Sequence, residues 1–311
     1  MAGPDGPRRT LATYADEWLE HRTQLAVRTR ELYADLLRLH IKPQLGAVNL
    51  NKLSGLDVRR WHKGRSEATG PTCTRQAYSL LRNILNTAVR DGLLLSNPCQ
   101  IVGAGSVRNP ERPYMSRDHA TQLVNALPLY LRTPTLVTLL CHLRQGELLG
   151  LQRGDVDLHD GLLHVRRAVS RTKAGPVVKS PKNGDARSVA LPPEAADALR
   201  AHLAQHPGTP TSPLFVHPSG RPLARQHVAT GFTEARRLTW LTQYTWHDLR
   251  HAGLTWFAQN GGTTREVMHR GGHRSAAAAL RYQHRSRKRE AQLASRLFLR
   301  SATEPRVDTA S

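Results

Sequence analysis

The chain has 311 residues and carries 45 lysines and arginines against 24 acidic residues, a net charge of +21 with an isoelectric point near 11.1. So large an excess calls for a polyanionic partner, and nucleic acid leads because counterion release from a phosphate backbone gives basic surfaces affinity whatever the base sequence. A mean hydropathy of −0.49, with no apolar run near the roughly 18 to 20 residues of a spanning helix, leads us to expect no membrane span and makes a membrane the weaker alternative partner, and Cys73, Cys99 and Cys141 lie too far apart for a disulfide framework or a zinc knuckle.

Met1 to Thr10 has basic residues but no apolar core of a signal peptide, so the protein is expected in the cytoplasm, associated with the nucleoid. With about 100 to 200 residues to a typical domain, two domains are expected. From Leu11 to Leu95 the pattern is helical. Tyr14, Trp18 and Leu19 space one amphipathic segment, and Tyr33, Leu36, Leu37 and Ile41 a second. Leu56, Val58 and Trp61 mark a shorter third, capped by Ser54. Leu80, Leu81, Ile84, Leu85, Ala88 and Val89 recur along one face of a fourth. Four such helices make a small bundle. Arg22, Arg28, Arg30, Arg75 and Arg82 fall between its apolar positions and give it a cationic surface.

Gly92 ends the fourth helix, Asn97-Pro98 forbids its continuation, and the stretch from Gly103 to Pro113 reads as a linker. Beyond it Ser116 caps a helix through Leu127, Leu136 to Leu140 begins another, and Gly146 to Leu151 carries a short one. Extended pieces follow at Leu162 to Val169, Pro176 to Val178 and Arg187 to Leu191. The last two flank Lys182-Asn183-Gly184-Asp185, and Asn-Gly between extended pieces predicts a hairpin. Helices resume from Pro193. The fold class is therefore mainly α with a small antiparallel β-sheet.

Chemistry concentrates in the second half. Arg144 sits among apolar residues where a helix would bury its neighbours, and a buried arginine needs an anion; Glu147 and Asp155 are its candidate partners. His247 and Arg250, three apart, project from one helix face. Gly272-His273 follows, and Tyr282 comes nine positions later. Two guanidiniums, an ammonium and two imidazoles around a phenol suit attack on a phosphodiester. The planar arginine fork pairs with phosphate oxygens and keeps its charge, and tyrosine can form a covalent phospho-enzyme. His247 with His251 and His269 with His273 have a helical zinc spacing. Neither has the His-Glu-x-x-His form, and Arg250 lies between the first pair, so no metal site is expected.

In order along the chain, Leu143-Arg144-Gln145-Gly146-Glu147-Leu148, His247-x-x-Arg250, Gly272-His273 and Arg281-Tyr282-x-His284 resemble the motifs of the tyrosine recombinases of the phage-integrase family. The resemblance covers nearly the whole chain. It implies a short N-terminal tail (1–10), a helical core-binding domain (11–100), a linker (101–113), an α+β catalytic domain (114–299) and a disordered C-terminal tail (300–311). It implies a site-specific recombinase that cleaves and rejoins DNA through a 3′-phosphotyrosyl link, integrating or excising a mobile element without cofactor, ATP or metal. Arg144 and Arg250 would clamp the phosphate, Tyr282 attack it, His247 accept the phenol's proton, Lys182 protonate the leaving 5′-oxygen and His273 bond the phosphate. The implied partners are double-stranded attachment-site DNA, held by a C-shaped clamp of the two domains, a homotetramer on that DNA, and a directionality factor or host architectural protein. Arg28, Arg30, Arg75, Arg82, Arg236 and Arg237 are the candidate DNA-binding residues. Leu293, Leu297 and Leu299 mark a tail helix that in the family packs into a neighbouring protomer.

Three features depart from the family pattern. Cys141-His142 stands where Thr-Gly is common, and Arg270-Gly271 precedes Gly272-His273 where a leucine is usual. About ten residues precede the bundle in place of an arm-binding domain, so either arm sites are not used or the chain is a shortened form. Two rival functions share parts of the pattern. A non-catalytic DNA-binding regulator explains the charge but not the ordered motifs, and a type IB topoisomerase-like enzyme shares the phosphotyrosine chemistry without recombining two sites.

Overall fold

The computed structural model describes residues 9–106, 113–179, 186–273, 275–280 and 282. Lys182 with its Asn-Gly turn, Arg281, His284 and the tail leucines fall outside them. Two compact units emerge: 9–106 with Ser170–Val177, and 113–169 with 178–282. Among the described residues no helix is long and apolar enough to cross a membrane.

The first unit contains α1 (Leu11–Glu20), α2 (Val27–Leu36), a π-helical turn (Leu37–Ile41), α3 (Lys42–Leu45), α4 (Gly55–Ala68) and α5 (Pro71–Arg90). The Thr10 hydroxyl accepts from the Thr13 amide to start α1, and Ser54 and Asp57 cap α4 reciprocally. The segment from Tyr33 to Ile41 is not one regular helix. Pro43 supplies no amide for the Leu39 carbonyl, and the chain widens into the π turn just before it. On α5, Thr74, Ala77, Tyr78, Leu81, Ile84, Leu85 and Ala88 face inward at helical spacing. Trp18 and Trp61 keep their indole N–H groups bonded inside this core, to the Thr87 hydroxyl at 3.0 Å and the His40 carbonyl at 2.7 Å. Leu56, expected on the buried face of α4, is exposed, and Val58 and Trp61 alone anchor that helix.

The second unit is built from α6 (Arg117–Ala126), α7 (Leu129–Leu140), α8 (Gln145–Leu149), strands β1 (Val156–Asp157), β2 (Leu162–Val165) and β5 (Arg187–Ala190), then α9 (Pro193–Gln205), α10 (Arg225–Leu238), α11 (Trp246–Gln259), α12 (Thr264–Gly271) and α13 (Ala276–Leu280), while most of strands β3 (Ala168–Thr172) and β4 (Gly175–Lys179) belongs to the first unit. Ser116 caps α6 as expected. Helix α7 begins at Leu129, earlier than the Leu136 start read from the sequence, and carries Pro134 in its interior, where the proline supplies no amide for the Tyr130 carbonyl.

The hairpin predicted around Asn183-Gly184 is not the one formed. β4 pairs with β3 across the short Lys173-Ala174 turn, with Gly175 at φ +122°, whereas β5 pairs antiparallel with β2 in the order β1-β2-β5. Burial periodicity explains the choice. β2 buries Leu163 and Val165, β5 buries Val189 and Arg187, and the register sets Leu163 opposite Val189 and Val165 opposite Arg187 on one inward face. Neither β3 nor β4 has such a face.

Candidate active site

Two helices of the second unit end in the same way. Helix α7 closes with the Leu143 amide on the Thr138 carbonyl and His142 at φ +59°, and α12 closes with the His273 amide on the Met268 carbonyl and Gly272 at φ +56°. Both are left-handed terminations that leave the last carbonyls pointing away from the helix. Glycine is the usual occupant, so a histidine at 142 is costly by itself. Past these turns come Arg144, the residue before α8, and His273. A third helix enters between them. Thr245 donates from its amide and its hydroxyl to Asp248, each at 2.7 Å, fixing the start of α11 and thus His247 and Arg250. Gly253 lets α11 lie directly on the end of α7, where any Cβ would run into the Leu139 carbonyl.

Arg250 is 1% exposed. Its Nη1 donates to the His142 carbonyl and its Nη2 to the Gly271 carbonyl, so the ends of both helices hold it. Helix C-termini carry partial negative charge, which suits a buried cation with no carboxylate in direct contact. The nearest carboxylate oxygen, on Glu147, is 3.9 Å away. Burial, and then the neighbouring Arg144 charge, lower the Arg250 pKa to about 10. Arg250 Nη2 also lies 3.2 Å from His273 Nε2. A guanidinium can only donate, so Nε2 accepts and the neutral imidazole carries its proton on Nδ1. That Nδ1 is buried and has no hydrogen-bond partner among the described residues. Burial and the Arg250 and Arg144 charges hold the His273 pKa down at about 4, so the ring is neutral at physiological pH.

Glu147 binds the other arginines. Arg144 Nη1 donates to its Oε1 at 2.9 Å and the Arg144 amide to its Oε2 at 2.8 Å, while Arg144 Nη2 donates to the Gly272 carbonyl at 2.8 Å. Arg187 makes a two-pronged pair with the same carboxylate, at 3.1 and 2.8 Å, and its Nε reaches the Arg270 carbonyl at 3.1 Å. Burial pushes the Glu147 carboxyl up, but the Arg187 bond and charge and the Arg144 charge outweigh it and bring the pKa down to about 2. Asp155, the other expected partner of Arg144, pairs instead with Arg166 and Arg167. Arg187 belongs to none of the sequence motifs. Its signal was a charge at an inward position of an alternating strand, with Val189 two residues on.

Tyr282 is buried with Leu254, Val267 and Ala279. Its ring stacks on His273, centroids 5.5 Å apart and planes at 18°, and lies 5.3 Å from the His251 ring. His251 in turn meets His247 edge-on at 4.6 Å. Five expected residues, Arg144, His247, Arg250, His273 and Tyr282, therefore converge, and Lys182 lies outside the described residues. His251 joins them from the next turn of α11. No group of three metal-ligating side chains occurs among the described residues.

The candidate DNA-binding arginines divide. Arg30 donates to the Arg22 carbonyl at 3.0 Å, and Arg236 to the Thr242 and Tyr244 carbonyls at 3.1 and 2.6 Å, so both hold loops in this state. Arg28 and Arg237 pair with the acids three residues away, Glu31 and Glu234. Arg75 leaves Nε buried and unbonded, and Arg82 is exposed on α5.

A helical unit is thus joined to a mostly helical unit in which three arginines, three histidines and a tyrosine meet. The chain belongs to the phage integrase family, which matches residues 113–289, with the phage integrase N-terminal SAM-like domain matching 10–64. It is a site-specific recombinase of the tyrosine class. It is 37% identical over 300 residues to the putative prophage phiRv2 integrase of Mycobacterium tuberculosis, covering 94% of this chain and 79% of that one. It is 30% identical over 285 residues to the tyrosine recombinase XerC of Rhodospirillum centenum, covering 85% and 80%. Among solved structures, the Tn1549 transposon integrase in complex with a circular intermediate DNA superposes with a TM-score of 0.82 at 18% identity, over 93% of this chain and 99% of that one.

Proposed function

We propose that this recombinase cleaves attachment-site DNA through a 3′-phosphotyrosyl intermediate, and that the stack of Tyr282 on His273, itself bonded to Arg250, carries the reading. Arg144 and Arg250 each keep N–H groups beyond those bonded within the protein, and these bind the non-bridging oxygens of the scissile phosphate. The His273 Nδ1–H donates to the same phosphate. The Tyr282 oxygen attacks phosphorus as the bond to the 5′-oxygen breaks. The phenol proton passes to His247, with His251 beside it, and the leaving 5′-oxygen takes a proton from Lys182. A phenol with an ordinary pKa near 10 needs such an acceptor and a cationic field to react at neutral pH. The 5′-hydroxyl of a second strand reverses the step, and the retained ester bond drives rejoining.

Exchanging both strands of two duplexes takes one cleaving protomer per strand, hence a homotetramer on DNA. The likeness to prophage integrases supports integration or excision of a mobile element. A pool of nicked duplexes with randomised core sequence tests the reading. Wild type leaves a covalent adduct on a denaturing gel and Tyr282→Phe leaves none; an undiminished adduct in the variant refutes it. With the recovered sequence, recombinant product between two sites separates recombination from simple relaxation.

A further inference from the structure

Arg270, on the last turn of α12, extends to three other segments. Its Nε donates to His142 Nδ1 at 3.1 Å, its Nη2 to the Leu140 carbonyl at 3.1 Å and its Nη1 to the Ala190 carbonyl at 3.3 Å. The guanidinium lies 4.8 Å over the Phe257 ring of α11. Its own carbonyl accepts from Arg187 Nε. The bonds join the end of α12 to the end of α7 and to β5. They flank the two carbonyls, of His142 and Gly271, that hold the buried Arg250 head. His142 completes the tie. Its Nδ1 accepts from Arg270, so its proton sits on Nε2, its ring packs against Gly253, and burial and the Arg270 charge keep it neutral with a pKa of about 3. The tie accounts for a histidine in a left-handed position where glycine is cheaper: the ring supplies the acceptor that Arg270 needs inside the protein.

We infer that Arg270, paired with His142, is a positioning residue for the recombination reaction, fixing the two helix-end carbonyls that aim the Arg250 guanidinium at the scissile phosphate. The inference rests on the proposed role of Arg250 as a phosphate clamp. The full-length chain carrying Arg270→Leu, Arg270→Lys, His142→Gly, or His142→Gly with Arg270→Leu is compared with wild type on the nicked duplex recovered above. Melting temperature, duplex affinity and single-turnover adduct rate at saturating protein are measured.

Misaiming one clamp by a fraction of an ångström slows chemistry on the order of 10-fold or more, so Arg270→Leu is expected to lose at least that in rate while affinity stays within about 3-fold. Arg270→Lys recovers part of the rate, and the double variant is no slower than the slower single one. A wild-type rate in any folded Arg270 variant overturns the inference. So does a loss of rate, affinity and melting temperature in step, or single losses that multiply in the double variant. Where Arg270→Leu does not fold, Arg270→Lys decides. If wild type forms no adduct, or Arg250→Ala cleaves normally, the clamp itself is wrong, which is distinct from a silent Arg270.

Discussion

Replacing Glu147 with glutamine keeps the shape of the side chain and removes the charge that Arg144 and Arg187 share. The Glu147 pKa falls from 4.5 to about 2 in the folded protein, and at about 1.4 kcal/mol per unit this is about 3 kcal/mol of stability at neutral pH. The side chain is 2% exposed, so solvent screens little of it. Removing one partner from a buried ion pair typically costs about 3–5 kcal/mol, which agrees. For a unit of this size about 2–4 °C of melting temperature goes with each kcal/mol, so Glu147→Gln is expected to melt about 6–12 °C lower at pH 7. The sign follows from the depressed pKa: the contribution is complete above about pH 4.5 and disappears as pH falls through about 2. The gap between wild type and variant must therefore narrow on acidification. Calorimetry from pH 7 to pH 3 measures it. Equal melting at pH 7, or a gap constant across that range, refutes the carboxylate's assigned role. Adduct formation should also fall by about 100-fold, because Arg144 loses the group that orients it.

Gly272→Ala places a Cβ 3.1 Å from Arg187 Nη1 and 3.2 Å from Arg144 Nη1 on a left-handed backbone. The conformation alone costs about 1–2 kcal/mol, and adduct formation should drop more than the melting temperature suggests; a wild-type rate contradicts the geometry. Arg236→Ala forfeits bonds to two loop carbonyls and should cost about 1–2 kcal/mol in denaturant unfolding. Arg237→Ala should leave unfolding unchanged and lower the salt dependence of DNA binding instead; the reverse pattern would exchange their roles. Both His142 and His273 have pKa values held below the ordinary 6.5, at about 3 and about 4. The unfolded chain then binds more protons between about pH 6.5 and 4, so stability is lost as pH falls through that window. Melting profiles should show that slope, and His142→Gly should flatten it; a slope unchanged in the variant places the proton uptake elsewhere.

How far the sequence reveals this site depends on which interactions are local. Arg144, His247, Arg250, His273 and Tyr282 sit at helix starts or just past helix ends, where cap residues and short spacings show in the sequence, and the structure brings them together. Arg187 is different. Its burial follows from β2 pairing with β5, a long-range match of two alternating faces, and the strong local turn signal at Asn183-Gly184 pointed to a different partner strand. The cationic surface was legible as a sum but not residue by residue. Whether Arg30 or Arg236 faces a phosphate or a nearby carbonyl depends on loop ends that no periodicity specifies. Pro43 and Pro134 show the limit of breaker rules, since one widened a helix and the other was absorbed by it.

The same local architecture explains why the site is poised for an anion. Arg144, Arg187 and Arg250 share one nearby carboxylate, and the remaining negative charge is the partial charge of two helix ends. The arrangement is deliberately incomplete in charge. Arg250 registers the deficit, since burial and the Arg144 charge pull its pKa to about 10. Two unit charges about 4 Å apart interact by about 4 kcal/mol at the effective dielectric of a partly open site. In the proposed reaction a single phosphate diester would supply the counter-charge the pocket lacks, and the second negative charge building as the phenol oxygen attacks would be stabilised further. The guanidiniums are already anchored by carbonyls and by Glu147, so they need not reorganise as that charge grows. A flexible cluster of the same three arginines would bind the phosphate and gain much less in the transition state.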